Sequence, residues 1–361
     1  MLVWLDGLRR WVGSLAHPQG ADTTGGTPDS QPSSAPSLRA RPIRATLAFI
    51  TRSRPVFAAA LVIVFLVLYF GLGGLLSSTI DDNMAFRPAE ADLSPGGSVA
   101  VGMASAVLDR ELNEHGWKAD DPWFYPTALL DNMPAWQRGL RLGVLRFVAS
   151  LQSLQAEDPD LARAAQALDY PPDRWWIGTN WPWVRTASAS SYREAVEAIR
   201  SYNAHVAGGR VTLTRDAATL ATLLDRMADT LAESEEMLGQ HVSGDETAQD
   251  KRLGNDEMFY TVRGEAYASL LILGGLREDF EPLIRQRQLA ARWATMARSL
   301  ETVVALDPLI VTAGDPGSFL IKNHLMEQGF ALQRTEQQIR ALAAALRQAP
   351  ATTQTTQTRR R

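Results

Sequence analysis

Between Arg54 and Asp81 the chain runs PVFAAALVIVFLVLYFGLGGLLSSTI, and residues 55–76 are 22 consecutive positions without a charge. At about 1.5 Å per residue, that length lets a helix cross about 30 Å of hydrocarbon. A buried helix of this length in a soluble domain nearly always keeps a polar stripe, and none is present here. Pro55 stands in the first turn, where a missing N–H costs nothing because it has no intrahelical partner. Tyr69 and Phe70 fall toward the far end of the run, as aromatic rings do near a membrane–water interface. One transmembrane helix is therefore expected over 55–76.

The flanks orient it. Arg39, Arg41, Arg44, Arg52 and Arg54 precede the run, Asp81 and Asp82 follow it, and no lysine or arginine intervenes before Arg87. Basic flanks stay in the cytoplasm, so the N-terminus is expected inside a bacterial inner membrane crossed once, with the remainder in the periplasm. A cleaved signal peptide fits poorly, because its basic region would be overlong and no small-x-small site follows the apolar run. The pair Arg9-Arg10 lacks the adjoining apolar segment of a twin-arginine signal. Seven arginines against three aspartates precede Pro55, whereas the part beyond the run is acidic. With a net charge of −4 overall, no nucleic-acid partner is expected. Cysteine is absent, which excludes disulfides, thiolate metal sites, cysteine nucleophiles and a lipid-modified cysteine.

Residues 1–16 place Trp4, Leu5, Leu8, Trp11, Val12 and Leu15 on one helical side opposite Asp6, Arg9, Arg10 and Ser14. This pattern predicts a short amphipathic helix on the cytoplasmic membrane face, the alternatives being a frayed terminus or a helix docked on a protein. Residues 17–54 read as a disordered basic linker and 349–361 as a disordered tail.

After a connector over 77–97, residues 98–348 are expected to form an all-α domain, a large helical bundle. The apolar spacing predicts helices over 98–115, 128–155 with a possible break at Met133-Pro134, 160–168, 192–206 and 216–241. Further stripes run through Phe259, Val262, Ala266 and Leu273, through Leu289, Trp293, Met296, Leu300 and Val303, and through Leu325, Leu332, Ile339 and Leu346. The apolar run 266–276 is too short for a second crossing and reads as core.

Chemistry-bearing residues are sparse. Glu111 and His115 lie one turn apart, a spacing at which carboxylate and imidazole can share a proton or a metal. His115 also continues the stripe of Leu108 and Leu112 and has no second histidine at metal spacing, so the structural role is favoured and no metal or cofactor is expected. The segment DDPWFYPTALLDNMP holds Trp123, Phe124 and Tyr125 among Asp120, Asp121 and Asp131. These carboxylates suit a cation or glycan acid–base chemistry, but the favoured reading is aromatics completing the core and Asp131 capping a turn. A second loop, DYPPDRWWIGTNWPWVRT, packs Trp175, Trp176, Trp181 and Trp183 into nine residues. Tryptophan faces stack on sugars and settle at membrane surfaces; here a cover over the bundle end, or a mixture with one exposed face, is expected.

The segments DPWFYPTALLDNMPAWQ, SYREAVEAIRSYN and LDRMADTLAESEEML resemble a proteobacterial family of single-span inner-membrane proteins of unknown function. The likeness covers about residues 99–346 and the span, and it implies topology without catalytic residues. The expected function is a non-enzymatic interaction or scaffold protein contacting the lipid bilayer and other envelope components. The alternative is a peptidoglycan-binding or glycan-cleaving protein using the tryptophan loop.

Overall fold

The computed structural model describes residues 54–77, 79–89, 93–129, 131–244, 254–308, 311 and 323–348. The expected surface helix, most of the basic linker and the tail lie outside these residues. The chain divides into two compact units, Met1–Leu61 and Val62–Arg361, with the boundary inside the first described helix. Among the described residues every element is helical, and the one β-type feature is an isolated bridge between Ile177 and Val184.

Helix α1 covers Arg54–Val67 and continues through a π-helical turn, Leu68–Leu72, into α2, Gly73–Ser77. Pro55–Leu72 is long and apolar enough to cross a membrane, and none of it is buried. The remaining helices are α3 (Val99–Asn113), α4 (Asn132–Leu154), α5 (Pro159–Leu168), α6 (Ser188–Ala207), α7 (Ala217–Ser243) and α8 (Asn255–Asp279), then α9 (Glu281–Gln286), α10 (Ala290–Val304) and α11 (His324–Arg347).

Local chemistry accounts for most boundaries. Ser98, Asp158, Asp216 and Asn323 each stand before a helix and accept a backbone N–H from its first turn, an interaction worth about 1 kcal/mol. Gly116 and Gly244 follow helix ends at positive φ, where a side chain would be strained. The helix expected from residue 128 instead begins at Asn132, because Pro134 is tolerated only in a first turn. A single 3-10 turn, Pro126–Leu129, precedes it.

Helix α8 is the axis of the packing. It touches α3, α4, α7, α10 and α11, and 17 of its 25 residues are buried, so it has no solvent stripe. The other close pairings are α7 with α11, α5 with α6, and α3 with α6. Where α4 crosses α8 the backbones nearly touch: a Cβ on Gly139 would fall 1.8 Å from the Thr261 carbonyl oxygen, and one on Gly264 2.2 Å from that of Trp136.

The connector after the apolar helix is clamped to this body. Arg110 on α3 donates to the Asp81 carbonyl at 2.8 Å, pairs with its carboxylate at 3.2 Å and lies over the Phe86 ring. Arg263 on α8 pairs with Asp82 at 2.6 Å and Asp307 at 3.0 Å while donating to the Val304 carbonyl at 2.8 Å. Tyr267 donates its hydroxyl to the Asn83 carbonyl.

Neighbouring glycines on α8 test this packing. Nothing lies within 4 Å of a Cβ on exposed Gly274, whereas a Cβ on Gly275 would sit 2.5 Å from Ala100 Cα on α3. Gly274→Ala should therefore stabilise the detergent-solubilised chain by about 0.5–1 kcal/mol through helix propensity. Gly275→Ala should destabilise it by about 1–3 kcal/mol through overpacking. Thermal melts giving the same sign for both variants would contradict the α3–α8 contact.

Candidate functional site

Two loops at one end of the body form an aromatic surface. The first joins α3 to α4 and the second joins α5 to α6. Between them stands Trp117, which is buried, packs edge-on against Tyr192 at 4.8 Å and donates its indole N–H to the Pro172 carbonyl at 2.9 Å. Tyr192 in turn donates to the Tyr170 carbonyl at 2.6 Å. The Ser188 hydroxyl donates to the Pro171 carbonyl and accepts the Arg174 N–H. These bonds fix the base of the second loop.

Above that base the second loop closes as a hairpin. Gly178 N–H donates to the Trp183 carbonyl at 2.6 Å and Arg185 N–H to that of Trp176 at 2.9 Å, around the Ile177–Val184 bridge. The stem lifts most of the rings off the body, so of the two expected arrangements the loop is not a full cover over the bundle end but a mixture with an exposed face. Trp181 is 82% exposed and Trp183 61%; Trp176 is also exposed, while Trp175 is half-buried. On the first loop the expected core aromatics are exposed as well, Trp123 at 82% with Phe124 and Tyr125 beside it. The physical reason is occupancy: Trp117 and Tyr192 already fill the space under both loops. Phe124 and Trp175 meet edge-on at 5.6 Å, joining the loops into one surface.

Of the nearby carboxylates, Asp120 is buried and Asp121 half-buried, whereas Asp131 is exposed. Asp120 is buried, and that burial pushes its carboxyl up to about 6, with the Ala189 backbone N–H in the first turn of α6 opposing the shift. Helix α6 has no side-chain cap of its own at Ala187, so Asp120 reaches across from the other loop to serve its N-terminus. Asp121 accepts the Thr127 hydroxyl, and burial raises its pKa too. Asp131 is raised by burial and by Asp256 and Glu257; it occupies the N-cap position of α4 but makes no side-chain capping bond.

Glu111 and His115 separate. Glu111 is fully buried, which raises its carboxyl pKa against the pull of Arg110 and His115. It accepts from Arg110 and from Gln137 Nε2 at 3.2 Å, and Gln137 braces the first loop through the Gly116 carbonyl and the Lys118 N–H. The His115 imidazole instead stands 3.8 Å from Asp81 on the connector. Among the described residues no group of three or more His, Asp or Glu side chains is placed to hold a metal ion. A separate open groove of about 470 Å³ lies between α10 and α11, lined by Thr295, Arg298, Ser299, Glu327, Phe330 and Arg334.

Trp117 and Gln137 build the site without having been singled out in the sequence, where Tyr192 figures only as the start of a helix. The signal for Trp117 was its place one residue after Gly116, at the helix exit, where a large ring folds back onto the body. No protein-family model, curated protein or solved structure matches the chain.

The Asp120 environment makes a pH prediction. Between the ordinary aspartate value of 3.8 and about 6, the folded chain holds a proton that the unfolded chain has released. Its contribution to stability therefore falls as pH rises through that window and is least favourable above it. Asp120→Asn should melt higher than wild type above pH ~7, with the difference closing below pH ~4. A difference of constant size across that range would contradict the buried-carboxyl assignment.

Proposed function

We propose that the protein is a non-enzymatic, single-span protein of the bacterial inner membrane, belonging to the proteobacterial family its segments resemble. Its N-terminus lies in the cytoplasm and its helical domain in the periplasm, where the domain acts as a scaffold contacting another component of the envelope. The observation that carries this reading is the joined aromatic surface, seven rings from two loops held by a hydrogen-bonded stem while the nearby carboxylates are turned to structural duties. An apolar surface of that kind in water is costly unless something covers it. The basic N-terminal flank and acidic C-terminal flank of the span support the orientation.

Exposed Trp181 and Trp183 faces also favour a second reading, peptidoglycan binding by ring stacking on sugars. It requires that the chain co-sediment with peptidoglycan and that Trp181→Ala with Trp183→Ala abolish the effect.

The natural absence of cysteine allows a direct test in cells. With single cysteines introduced, a membrane-impermeant maleimide should reach Arg292→Cys, on the exposed side of α10, through a permeabilised outer membrane. Trp181→Cys and Trp183→Cys should react several-fold more slowly because the surface is covered. Labelling of Arg292→Cys only after the inner membrane is broken would overturn the orientation. Equal rates at all three positions would overturn the contact surface.

A further inference from the structure

The second loop carries ten consecutive uncharged residues, Trp175 to Val184, in the sequence WWIGTNWPWV. Five of them, Trp176, Ile177, Trp181, Trp183 and Val184, are exposed large apolar side chains. A hairpin tip in water ordinarily carries polar and charged residues, and this one carries none of the latter.

The position of the neighbouring loop shows what lies nearby. The 3-10 turn Pro126–Leu129 packs on the π-helical turn Leu68–Leu72 and on α2, the last turns of the apolar helix. A Cβ placed on Gly73 would lie 3.3 Å from Pro126 Cβ, so glycine lets the turn press against the helix. Gly73 is three residues before Leu76, the last of the apolar run, about 4.5 Å along a helix axis. Tyr125 and Phe124 are one and two residues from Pro126, within about 7 Å along the chain. The interfacial layer of a bilayer is about 5–8 Å deep on each side. Phe124 and Tyr125 are therefore within reach of that layer, and Trp175, in contact with Phe124, brings the hairpin to the same end of the helix.

We propose that the Trp175–Val184 hairpin and the Trp123–Tyr125 loop embed their rings in the outer interfacial layer of the bilayer that the apolar helix crosses. The helical body then lies on the membrane instead of standing off it. This inference rests on the reading of that helix as a span and of the aromatic surface as a contact surface, and it names the occupant as lipid. Tryptophan and tyrosine favour this layer because the ring body is apolar while the N–H or O–H stays hydrated. Exposed Arg174, at the hairpin base, is placed to meet lipid phosphates as the rings insert. The clamp by Arg110 and Arg263 on the connector holds the body close to the end of the helix, so insertion requires no further ordering of a long tether.

The test uses the full chain reconstituted in vesicles of phosphatidylethanolamine and phosphatidylglycerol, nitroxide-labelled at Trp181→Cys, Trp183→Cys or Arg292→Cys. Power saturation compares collisions with oxygen, which enriches in lipid, and with a water-soluble nickel chelate present on both sides. The labels at 181 and 183 should show a several-fold lower chelate-to-oxygen ratio than the label at 292. In the unlabelled chain, quenching of tryptophan emission by brominated acyl chains should fall on Trp181→Ala with Trp183→Ala. Chelate access at 181 and 183 equal to that at 292 would overturn the inference. If those labels then become protected when peptidoglycan is added, lipid is the wrong occupant and the contact surface stands. If they stay accessible and the maleimide rates in cells are also equal, both readings fall.

Discussion

The structure depends on the burial of α8 from every side. A helix without a solvent stripe has to be apolar, yet α8 carries Arg263 and Glu265 on either side of Gly264, both almost wholly buried. Taking an unpaired charge out of water costs several kcal/mol, and breaking a buried pair typically costs about 3–5 kcal/mol. Each charge is therefore met inside the protein. Glu265 takes Arg146 of α4 at 2.8 Å and the Ser234 hydroxyl of α7. Arg263 takes Asp82 and Asp307. The intervening glycine lets α4 approach closely enough for these pairings. One short segment, Arg263-Gly264-Glu265, thus ties α8 to α4 and α7 through Glu265 and to the connector through Arg263.

That arrangement explains why the connector belongs to the body rather than to the span. Asp81 and Asp82 read in the sequence as an acidic flank of the apolar helix, but in the fold they are the counter-charges of Arg110 and Arg263. Asp279, at the far end of α8, accepts the Val99 and Ala100 N–H groups and the Ser98 hydroxyl, so the end of one helix caps the start of another. Asn203 of α6 pairs with both the N–H and the carbonyl of Ser98. The first helix after the connector is pinned at its start by two elements distant in sequence. The last turns of the apolar helix therefore meet a stiff body, and the aromatic loops stand beside them at a fixed place.

The aromatic surface follows from competition for space. Nine large rings, Trp117, Tyr192 and the seven of the two loops, gather at this end of the bundle. Trp117 and Tyr192 take the interior and satisfy their polar atoms on loop carbonyls. The remaining rings stay largely outside, three on the first loop and four on a hairpin braced by its own backbone bonds. The carboxylates near them answer to different needs: Asp120 serves the uncapped start of α6, and Asp121 holds Thr127. Proximity in sequence to the tryptophans made these acids look like partners in chemistry, whereas their side chains turn inward.

The sequence by itself determined what depends on neighbours a few residues away: an apolar helix long enough to span, the apolar stripes, and helix starts at Ser98 and Asp216. Those are local properties, since helical spacing, capping bonds and glycine at positive φ involve residues within one or two turns. It also placed Pro134 at a break, because proline acts on its own backbone. Tertiary structure alone decided which distant groups pair, as with Arg263 and Asp82, Asn203 and Ser98, and Gln137 and Glu111. It also decided which aromatics are covered. A tryptophan is buried or exposed according to what else fills the space beneath it, and that competition is settled only when all the helices have packed.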